Sequence, residues 1–268
     1  MIQIRLWNDC YNNCAFCSIK DKIHKWTSVE DKKARINKLL ELSDDTIGLI
    51  GGEFFEGQLH GCEQEWFNMI RKISCDRLYI TANLIHDQYL LEETLLLRPD
   101  ILLCTSYDTI GRFKNDIQKH IWLNRVKSLP NVFCTIVPTQ DMLNDPFVEE
   151  IKCGINLCEP HLGLDWLDKV DKESYHENLI RDNKIFNLPK RAELLAWLRK
   201  HPRTLELMKN YKNTHFSTIL GFDDNNNFVC EVENRFNDNN FIAECGHPYF
   251  SRCYADSDRC LDCDLEEL

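Results

Sequence analysis

The sequence predicts an α/β protein whose core is a partial (βα)6 barrel, followed by a small cysteine-rich extension. Short apolar runs alternate with segments of helical periodicity from the amino terminus onward. Six strand–helix units fit between Ile2 and Cys158, whereas a complete eight-stranded barrel needs roughly 250 residues. After Glu159 the alternation ends, and from Cys230 onward the chain is polar and rich in cysteine.

The first unit consists of an apolar strand, Ile2 to Trp7, and a helix that begins after Ser28. Ser28 and Asp31 form a capping box, and the apolar face of the helix consists of Ile36, Leu39 and Leu40. The later strands are predicted at Thr46 to Ile50, Arg77 to Ala82, Ile101 to Ser106, Val132 to Val137 and Gly154 to Cys158. The later helices are predicted at Trp66 to Ile73, His86 to Leu97, Asp116 to Leu129 and Val148 to Ile151. Such alternation indicates a parallel sheet with right-handed crossovers, as in a TIM-like barrel.

The second part of the chain is organised differently. A helix is expected from Pro189 onward, with Leu194, Leu195 and Leu198 on one face. A hairpin is expected between Thr214 and Cys230, because polar turn residues interrupt two apolar runs there. We therefore expect a core domain over residues 1–165 and an extension with a helical segment, a hairpin and a cysteine-rich tail over residues 166–268.

Composition excludes several classes of protein. The net charge of -11 argues against nucleic-acid binding through the overall field of the protein. Lys20, Lys22 and Lys25 could form a local basic patch, although a solvated loop explains them more simply. The sequence has no apolar run long enough for a membrane helix and no secretory signal at its start, so we expect a cytoplasmic protein without a membrane partner.

A cluster of three cysteines follows the first strand. Cys10, Cys14 and Cys17 have the spacing C-x3-C-x2-C, which lets three thiolates bind one iron–sulfur cluster. Three ligands leave one iron open for chemistry, whereas a structural zinc site normally has four protein ligands. The cluster lies where a parallel strand ends, and barrel enzymes place their active sites at that end.

With Phe16 just before its last cysteine, this cluster resembles the motif of the radical S-adenosylmethionine superfamily. Gly51, Gly52 and Glu53 end the second strand, where that family has a Gly-Gly-Glu motif that contacts the amino group of the bound methionine moiety. Two glycines let a backbone approach a ligand closely, and a carboxylate complements an ammonium group.

Weaker similarities follow at later strand ends. Asn83 lies after the third strand, where the family often has a Thr-Asn-Gly turn, but the glycine is absent here. Ser106 and Asp108 resemble a Ser-x-Asp turn whose polar groups lie near the ligand. Glu159 follows a sixth-strand segment that corresponds loosely to one passing the adenine.

The resemblance implies a radical enzyme, with oxidoreductase or lyase-type chemistry. A [4Fe–4S] cluster would reduce S-adenosylmethionine to a 5'-deoxyadenosyl radical, which would remove hydrogen from a substrate. It also implies an electron donor such as flavodoxin or ferredoxin. The sequence does not establish whether S-adenosylmethionine is consumed or regenerated.

The carboxyl-terminal cysteines resemble the SPASM and twitch extensions of peptide-modifying radical enzymes. They are numerous enough for one auxiliary [4Fe–4S] cluster or one structural zinc site, and both remain open because either metal accepts four thiolates. Compactness favours four ligands from the tail, while the resemblance favours including Cys230. The five candidates are Cys230, Cys245, Cys253, Cys260 and Cys263.

The remaining cysteines lie in or beside apolar runs without paired spacing, so we interpret them as buried thiols. We expect the substrate to be a peptide or protein. Two features favour it, namely the cysteine-rich tail and the Ser106 turn, which Arg112 and Phe113 follow closely. Modification of a nucleotide or nucleoside, and so a small-molecule substrate, is the alternative. A third class, a non-catalytic iron–sulfur sensor, is disfavoured because a sensor has no need of a site for the sulfonium ligand.

Overall fold

The computed structural model describes residues 2–12, 14, 26–85, 88–107, 112–136, 139–151, 153–157, 189–202, 204–206 and 218–232. Its strands are β1 (Ile2–Arg5), β2 (Thr46–Ile50), β3 (Arg77–Thr81), β4 (Leu102–Tyr107), β5 (Val132–Ile136), β6 (Gly154–Leu157), β7 (Thr218–Phe222) and β8 (Phe228–Val232). Its helices are α1 (Val29–Lys38), α2 (Glu63–Lys72), α3 (Gln88–Leu97), α4 (Asp116–Ser128), α5 (Gln140–Leu143) and α6 (Arg191–Lys200). Single 3-10 turns cover Leu39–Glu41 and Val148–Glu150.

The strands form one sheet with the order β6-β5-β4-β3-β2-β1-β7-β8. The first six strands are parallel and follow one another in sequence, as a partial TIM-like barrel requires. This arrangement confirms the predicted fold class. The predicted hairpin is present as β7 and β8, and β7 extends the barrel sheet by pairing in parallel with β1. The boundary expected near residue 165 and the cysteine-rich tail lie outside the described residues.

Alternation of side chains gives each strand two faces. In β4, Thr105 and Tyr107 face the helices, because Thr105 accepts a hydrogen bond from the indole of Trp122 on α4 and the Tyr107 ring packs 5.4 Å from that indole. Ser106 points to the opposite face, which is the interior of the barrel. The side chains available for chemistry are therefore those at alternate positions near the ends of the strands.

Local capping fixes where helices begin. The hydroxyl of Ser28 accepts the backbone N–H of Asp31, as expected for a cap. The Asp31 carboxylate in turn accepts the Ser28 hydroxyl at 2.7 Å, because aspartate is too short for the backbone bond that glutamate makes in a full capping box. The four-residue helix α5 was not predicted, although Thr139 caps it in the same way.

The helices of the core carry the apolar faces that their periodicity predicts. Trp66, Met69 and Ile70 of α2 are buried in the hydrophobic core, and so are Leu194 and Leu198 of α6. Within the ranges described, no helix has the length and apolar character needed to cross a bilayer.

Candidate active site

A cavity of about 280 Å3 lies at the carboxyl ends of β1 to β4. It collects side chains from four separate loops and strands, which is how barrel enzymes assemble active sites. Seven residues singled out in the sequence line it, namely Cys10, Cys14, Gly51, Gly52, Glu53, Asn83 and Ser106. Four others, Phe16, Cys17, Asp108 and Glu159, lie outside the described residues.

Cys10 and Cys14 border this cavity, and neither forms a disulfide. Cys14 is buried, and Cys10 is partly buried with its sulfur accepting the backbone N–H of Asn12 at 3.4 Å. Burial raises the pKa of Cys10 to about 12 against that hydrogen bond, and the charges of Glu53 and Glu56 add to the rise. The thiol is thus neutral until a metal cation displaces its proton.

Among the described residues, no three metal-ligating side chains converge, since the third cysteine of the motif is not one of them. Cys230 lies on β8 and is exposed. The four cysteines of the tail, Cys245, Cys253, Cys260 and Cys263, fall outside the described part of the chain.

The two glycines after β2 bring two backbones together. The N–H of Gly52 donates to the carbonyl of Trp7 at 2.9 Å, and the N–H of Glu53 donates to the carbonyl of Asp9 at 2.8 Å. A Cβ atom at Gly51 would lie 2.3 Å from the Trp7 oxygen, and one at Gly52 would lie 2.0 Å from the Asp9 oxygen. Glycine is therefore required for the contact with the loop that leads to the cysteines, a reason the motif alone did not reveal.

Glu53 is fully buried at the centre of the site. Its Oε1 accepts the N–H groups of Phe54 and Phe55, both at 3.0 Å, and its Oε2 accepts the N–H of Asn83 at 2.6 Å. Burial raises the pKa of Glu53 to about 7, and the charge of Glu56 contributes further, while the three hydrogen bonds oppose the rise. The carboxylate connects the end of β2 to the turn after β3.

Arg112 supplies a positive charge to the cavity. Its Nη1 donates to the hydroxyl of Ser106 at 2.8 Å, and its Nη2 donates to the carbonyl of Asn83 and the hydroxyl of Thr105, both at 3.2 Å. Its Nε and the amide Nδ2 of Asn83 are buried, and neither has an acceptor within the described structure. Unsatisfied buried donors on a cavity wall favour a ligand with acceptor atoms. The sequence identified Arg112 only as a neighbour of the Ser106 turn.

A buried ion pair closes the base of the cysteine loop. The Asp9 carboxylate lies 2.8 Å from the ammonium of Lys32, and it also accepts the N–H and hydroxyl of Thr27 at 3.0 Å. Lys32 donates to the carbonyl of Gln58 at 3.0 Å as well. No motif in the sequence pointed to Lys32, because its role depends on Asp9, after β1, meeting α1 in the folded chain.

A second arginine reaches the cavity from the opposite side. Arg5, the last residue of β1, is buried and donates from Nη1 to the carboxylate of Glu231 on β8. Gly221 on the intervening strand leaves room for this contact, since a Cβ atom there would lie 2.1 Å from Oε1 of Glu231. No motif in the sequence indicated that Arg5 belongs to the site.

Comparison with known proteins gives a fold but no family. No protein-family model and no curated protein matches the sequence. A structure of Streptococcus suis SuiB matches 85% of this chain and 59% of its own, at 12% identity and a TM-score of 0.51. This chain thus spans about three fifths of the length of SuiB, and the similarity shows a shared fold.

Two further solved structures match at lower TM-scores. The Streptococcus suis SuiB structure bound to S-adenosylmethionine has a TM-score of 0.47 at 14% identity, covering 85% of this chain and 57% of its own. Native anSMEcpe with bound AdoMet and Cp18Cys peptide has a TM-score of 0.42 at 14% identity, covering 69% of this chain and 58% of its own.

Proposed function

We propose that this chain is a radical S-adenosylmethionine enzyme that holds a [4Fe–4S] cluster on Cys10, Cys14 and Cys17. The observation that carries the proposal is the meeting, in one cavity, of the cysteine loop and the Gly-Gly-Glu segment that ends in Glu53. These segments are far apart in sequence, and each resembles a different motif of the same superfamily.

The chemistry of the residues fits this cofactor and this ligand. Thiolates are the usual ligands of iron–sulfur clusters, and two of the three cysteines border the cavity. The unsatisfied donors of Asn83 and Arg112 suit a carboxylate, which S-adenosylmethionine carries beside its amino group. The cavity therefore offers groups of the right kind to both ends of the methionine moiety.

Glu53 is assigned to the amino group of the ligand. A carboxylate has about four lone-pair sites, and three of those on Glu53 accept backbone N–H groups, so one remains for an ammonium. The ammonium would also favour the ionised form of Glu53, whose burial alone disfavours it. Arg112, fixed by Ser106, binds the carboxylate in this proposal.

Bound on Cys10, Cys14 and Cys17, the cluster would supply the electron for reductive cleavage of S-adenosylmethionine to methionine and a 5'-deoxyadenosyl radical, which would take a hydrogen atom from the substrate. The residues of this chain orient the ligand and keep water from the reacting carbon. We propose a peptide or protein as the substrate, on the resemblance of the carboxyl-terminal cysteines to SPASM and twitch extensions, and flavodoxin or ferredoxin as the electron donor.

The same resemblance leads us to propose an auxiliary [4Fe–4S] cluster or a zinc ion in the tail, over residues 166–268. Iron and zinc measured on the reconstituted protein distinguish the two. A second cluster raises the iron content to about eight atoms per chain, whereas a zinc site leaves about four iron atoms and adds one zinc.

The decisive experiment is anaerobic reconstitution with iron and sulfide, followed by dithionite and S-adenosylmethionine. We expect 5'-deoxyadenosine, measured by mass spectrometry. Cys14→Ala should abolish its formation, whereas Cys75→Ala, a partly buried thiol remote from the cavity, should retain it. Formation of no 5'-deoxyadenosine by a protein with a full cluster would refute the proposal.

A further inference from the structure

The cavity contains a buried guanidinium for which the proposed S-adenosylmethionine site has no use. The side chain of Arg5 is 7% exposed and lines the cavity. Its Nη1 is paired with Glu231, but its Nε is buried and has no acceptor in the part of the chain that the structure describes. A buried donor of this kind costs free energy unless a ligand or water supplies an acceptor.

Arg5 and Arg112 are held over different parts of the sheet. The guanidinium of Arg112 is fixed above β3 and β4 by Ser106, Thr105 and the carbonyl of Asn83. The guanidinium of Arg5 is drawn away from those strands by Glu231, beyond β7. The anchors of the two guanidinium groups lie on opposite sides of β1, with those of Arg112 on and beside β3 and β4 and that of Arg5 on β8. This arrangement favours a separate acceptor for each arginine.

The contact with Glu231 is built into the strands. The register of β7 and β8 shifts between Ile219 and Leu220, and Gly221 provides the gap through which Glu231 reaches β1. Glu231 offsets the charge of Arg5 and fixes its orientation, while the buried Nε of the guanidinium remains without an acceptor among the described residues. Glu231, Glu53 and Glu56 all place negative charge near the cavity, which disfavours a dianionic phosphate more than a carboxylate.

We infer that Arg5 binds a carboxylate of the substrate. This inference rests on the proposed function, because it assumes that the methionine carboxylate is bound at Arg112. Arginine pairs with carboxylates through two parallel hydrogen bonds, and Arg5 retains Nε for this purpose. The carboxylate is that of an acidic side chain or of a peptide carboxyl terminus.

Three tripeptides identify the source of the carboxylate, namely acetyl-Ala-Glu-Ala-amide, acetyl-Ala-Gln-Ala-amide and acetyl-Ala-Ala-Ala with a free carboxyl terminus. Their binding to the reconstituted protein, with and without saturating S-adenosylhomocysteine, is measured by saturation-transfer NMR, which detects millimolar affinity. We expect at least one acidic peptide to bind tenfold or more tightly than the glutamine peptide. Equal binding of all three peptides overturns the inference.

Two variants distinguish ligand binding from a purely structural ion pair. Arg5→Gln should remove the preference for the acidic peptide, and Glu231→Gln should increase it several-fold because the guanidinium loses its internal partner. Arg71→Gln, at an exposed position on α2, should leave the preference unchanged. If Arg5→Gln does not fold, Glu231→Gln still tests the inference. A preference for the acidic peptide that is weaker than, or equal to, that of the wild type would contradict it.

The outcomes for Arg5 and for the proposed function can be separated. Failure of S-adenosylhomocysteine to bind the wild-type protein counts against the proposed function. The role of Arg5 is decided without S-adenosylhomocysteine, by whether the wild type binds an acidic peptide more tightly than the glutamine peptide and whether Arg5→Gln loses this difference. This result holds whether or not S-adenosylhomocysteine binds.

Discussion

The ammonium of Lys32 lies 2.8 Å from the carboxylate of Asp9, and both side chains are buried. The ammonium also lies 5.3 Å from the ring centroid of Trp7 and 5.8 Å from that of Trp26. Thr27 donates twice to Asp9, so the two ends of the loop that carries the cysteines are joined at one carboxylate. The geometry of the proposed cluster site depends on this closure.

We expect Lys32→Met to destabilise the protein by about 3–5 kcal/mol, because it leaves the Asp9 carboxylate buried without its cation. The measurement is urea unfolding of the metal-free protein. Lys33→Met is the matched control, since Lys33 is 41% exposed and its pair with Glu65 should contribute less than about 1 kcal/mol.

The double variant Asp9→Asn, Lys32→Met tests the cause. It should recover part of the lost stability because no charge remains buried, yet its iron content after reconstitution should stay below that of the wild type. Equal stability of Lys32→Met and Lys33→Met would contradict this account of the loop.

We expect Gly52→Ala to cost more than about 3 kcal/mol or to prevent folding, because the new methyl group would meet the backbone oxygen of Asp9 at 2.0 Å. Gly48→Ala, on β2 itself, would come no closer than 3.3 Å, to the flexible side chain of Gln3, and should be tolerated. Thermal unfolding of both variants measures the difference. Similar melting temperatures for the two would show that the loop and the glycine segment are not in close contact.

The fold could be predicted because each barrel element carries its own periodicity. The apolar runs before Gly51 and Ala82 mark strand ends, and their order along the chain is also their order in the sheet. The position of the hairpin could not be predicted in this way. Its pairing with β1 depends on contacts between segments distant in sequence, such as the one between Arg5 and Glu231.

The candidate site was predicted where short motifs fall at strand ends, as with Cys10 and Glu53. Residues that reach the site only because the folded chain brings them there belong to no motif that the sequence could reveal. Arg112 follows the end of β4 and belongs to no motif. Lys32 lies on a helix whose pattern indicates only an amphipathic face. A lysine or arginine on such an element is usually solvated, so only the three-dimensional contacts separate these two from the rest.

The raised pKa of Glu53 predicts a pH dependence of stability in the metal-free protein. Because its pKa is about 7 in the folded state, against 4.5 ordinarily, the folded state binds the proton more tightly. The contribution of protonated Glu53 to the free energy of unfolding is fully present below pH 4.5. It falls by on the order of 3 kcal/mol as the pH rises to about 7 and is constant above that pH.

Urea unfolding at pH 5 and pH 8 measures this contribution. In Glu53→Gln the free energy of unfolding should no longer fall by this amount between pH 5 and pH 8. Glu30→Gln, at an exposed position, should show the same fall as the wild type. Glu56→Gln should reduce the decline, because removal of the neighbouring charge lowers the pKa of Glu53. A decline of the same size in all three variants would assign it to other groups.

We expect Arg112→Gln to weaken the binding of S-adenosylmethionine roughly 10–100-fold, since a hydrogen bond to a charged group contributes about 1.5–3 kcal/mol. Isothermal titration of the reconstituted protein measures the affinity. Lys114→Gln removes a positive charge two residues away at an exposed position and should have little effect. If both variants lose affinity equally, the effect is one of overall charge and Arg112 has no direct contact.

Asn226 is the residue through which the hairpin turn is attached to the barrel. Its side-chain oxygen accepts Nε of Arg35 at 2.7 Å, and its amide donates to Asp31 at 2.8 Å. Arg35 donates in turn to the carbonyl of Leu6 at 2.8 Å, just before the cysteine loop. The backbone of Asn226 has a φ of 57°, a conformation that asparagine and glycine adopt more readily than other residues.

Two substitutions separate these contributions. Asn226→Gly keeps the backbone conformation and loses both hydrogen bonds, so we expect a loss of about 1–2 kcal/mol in urea unfolding. Asn226→Ala loses the same hydrogen bonds and adds about 1 kcal/mol of left-handed strain. Asn225→Ala, at an exposed position in the same turn, should cost less than about 0.5 kcal/mol. If Asn226→Gly is as stable as the wild type, the turn does not hold the hairpin against α1, and the placement of Glu231 beside Arg5 depends on β7 alone.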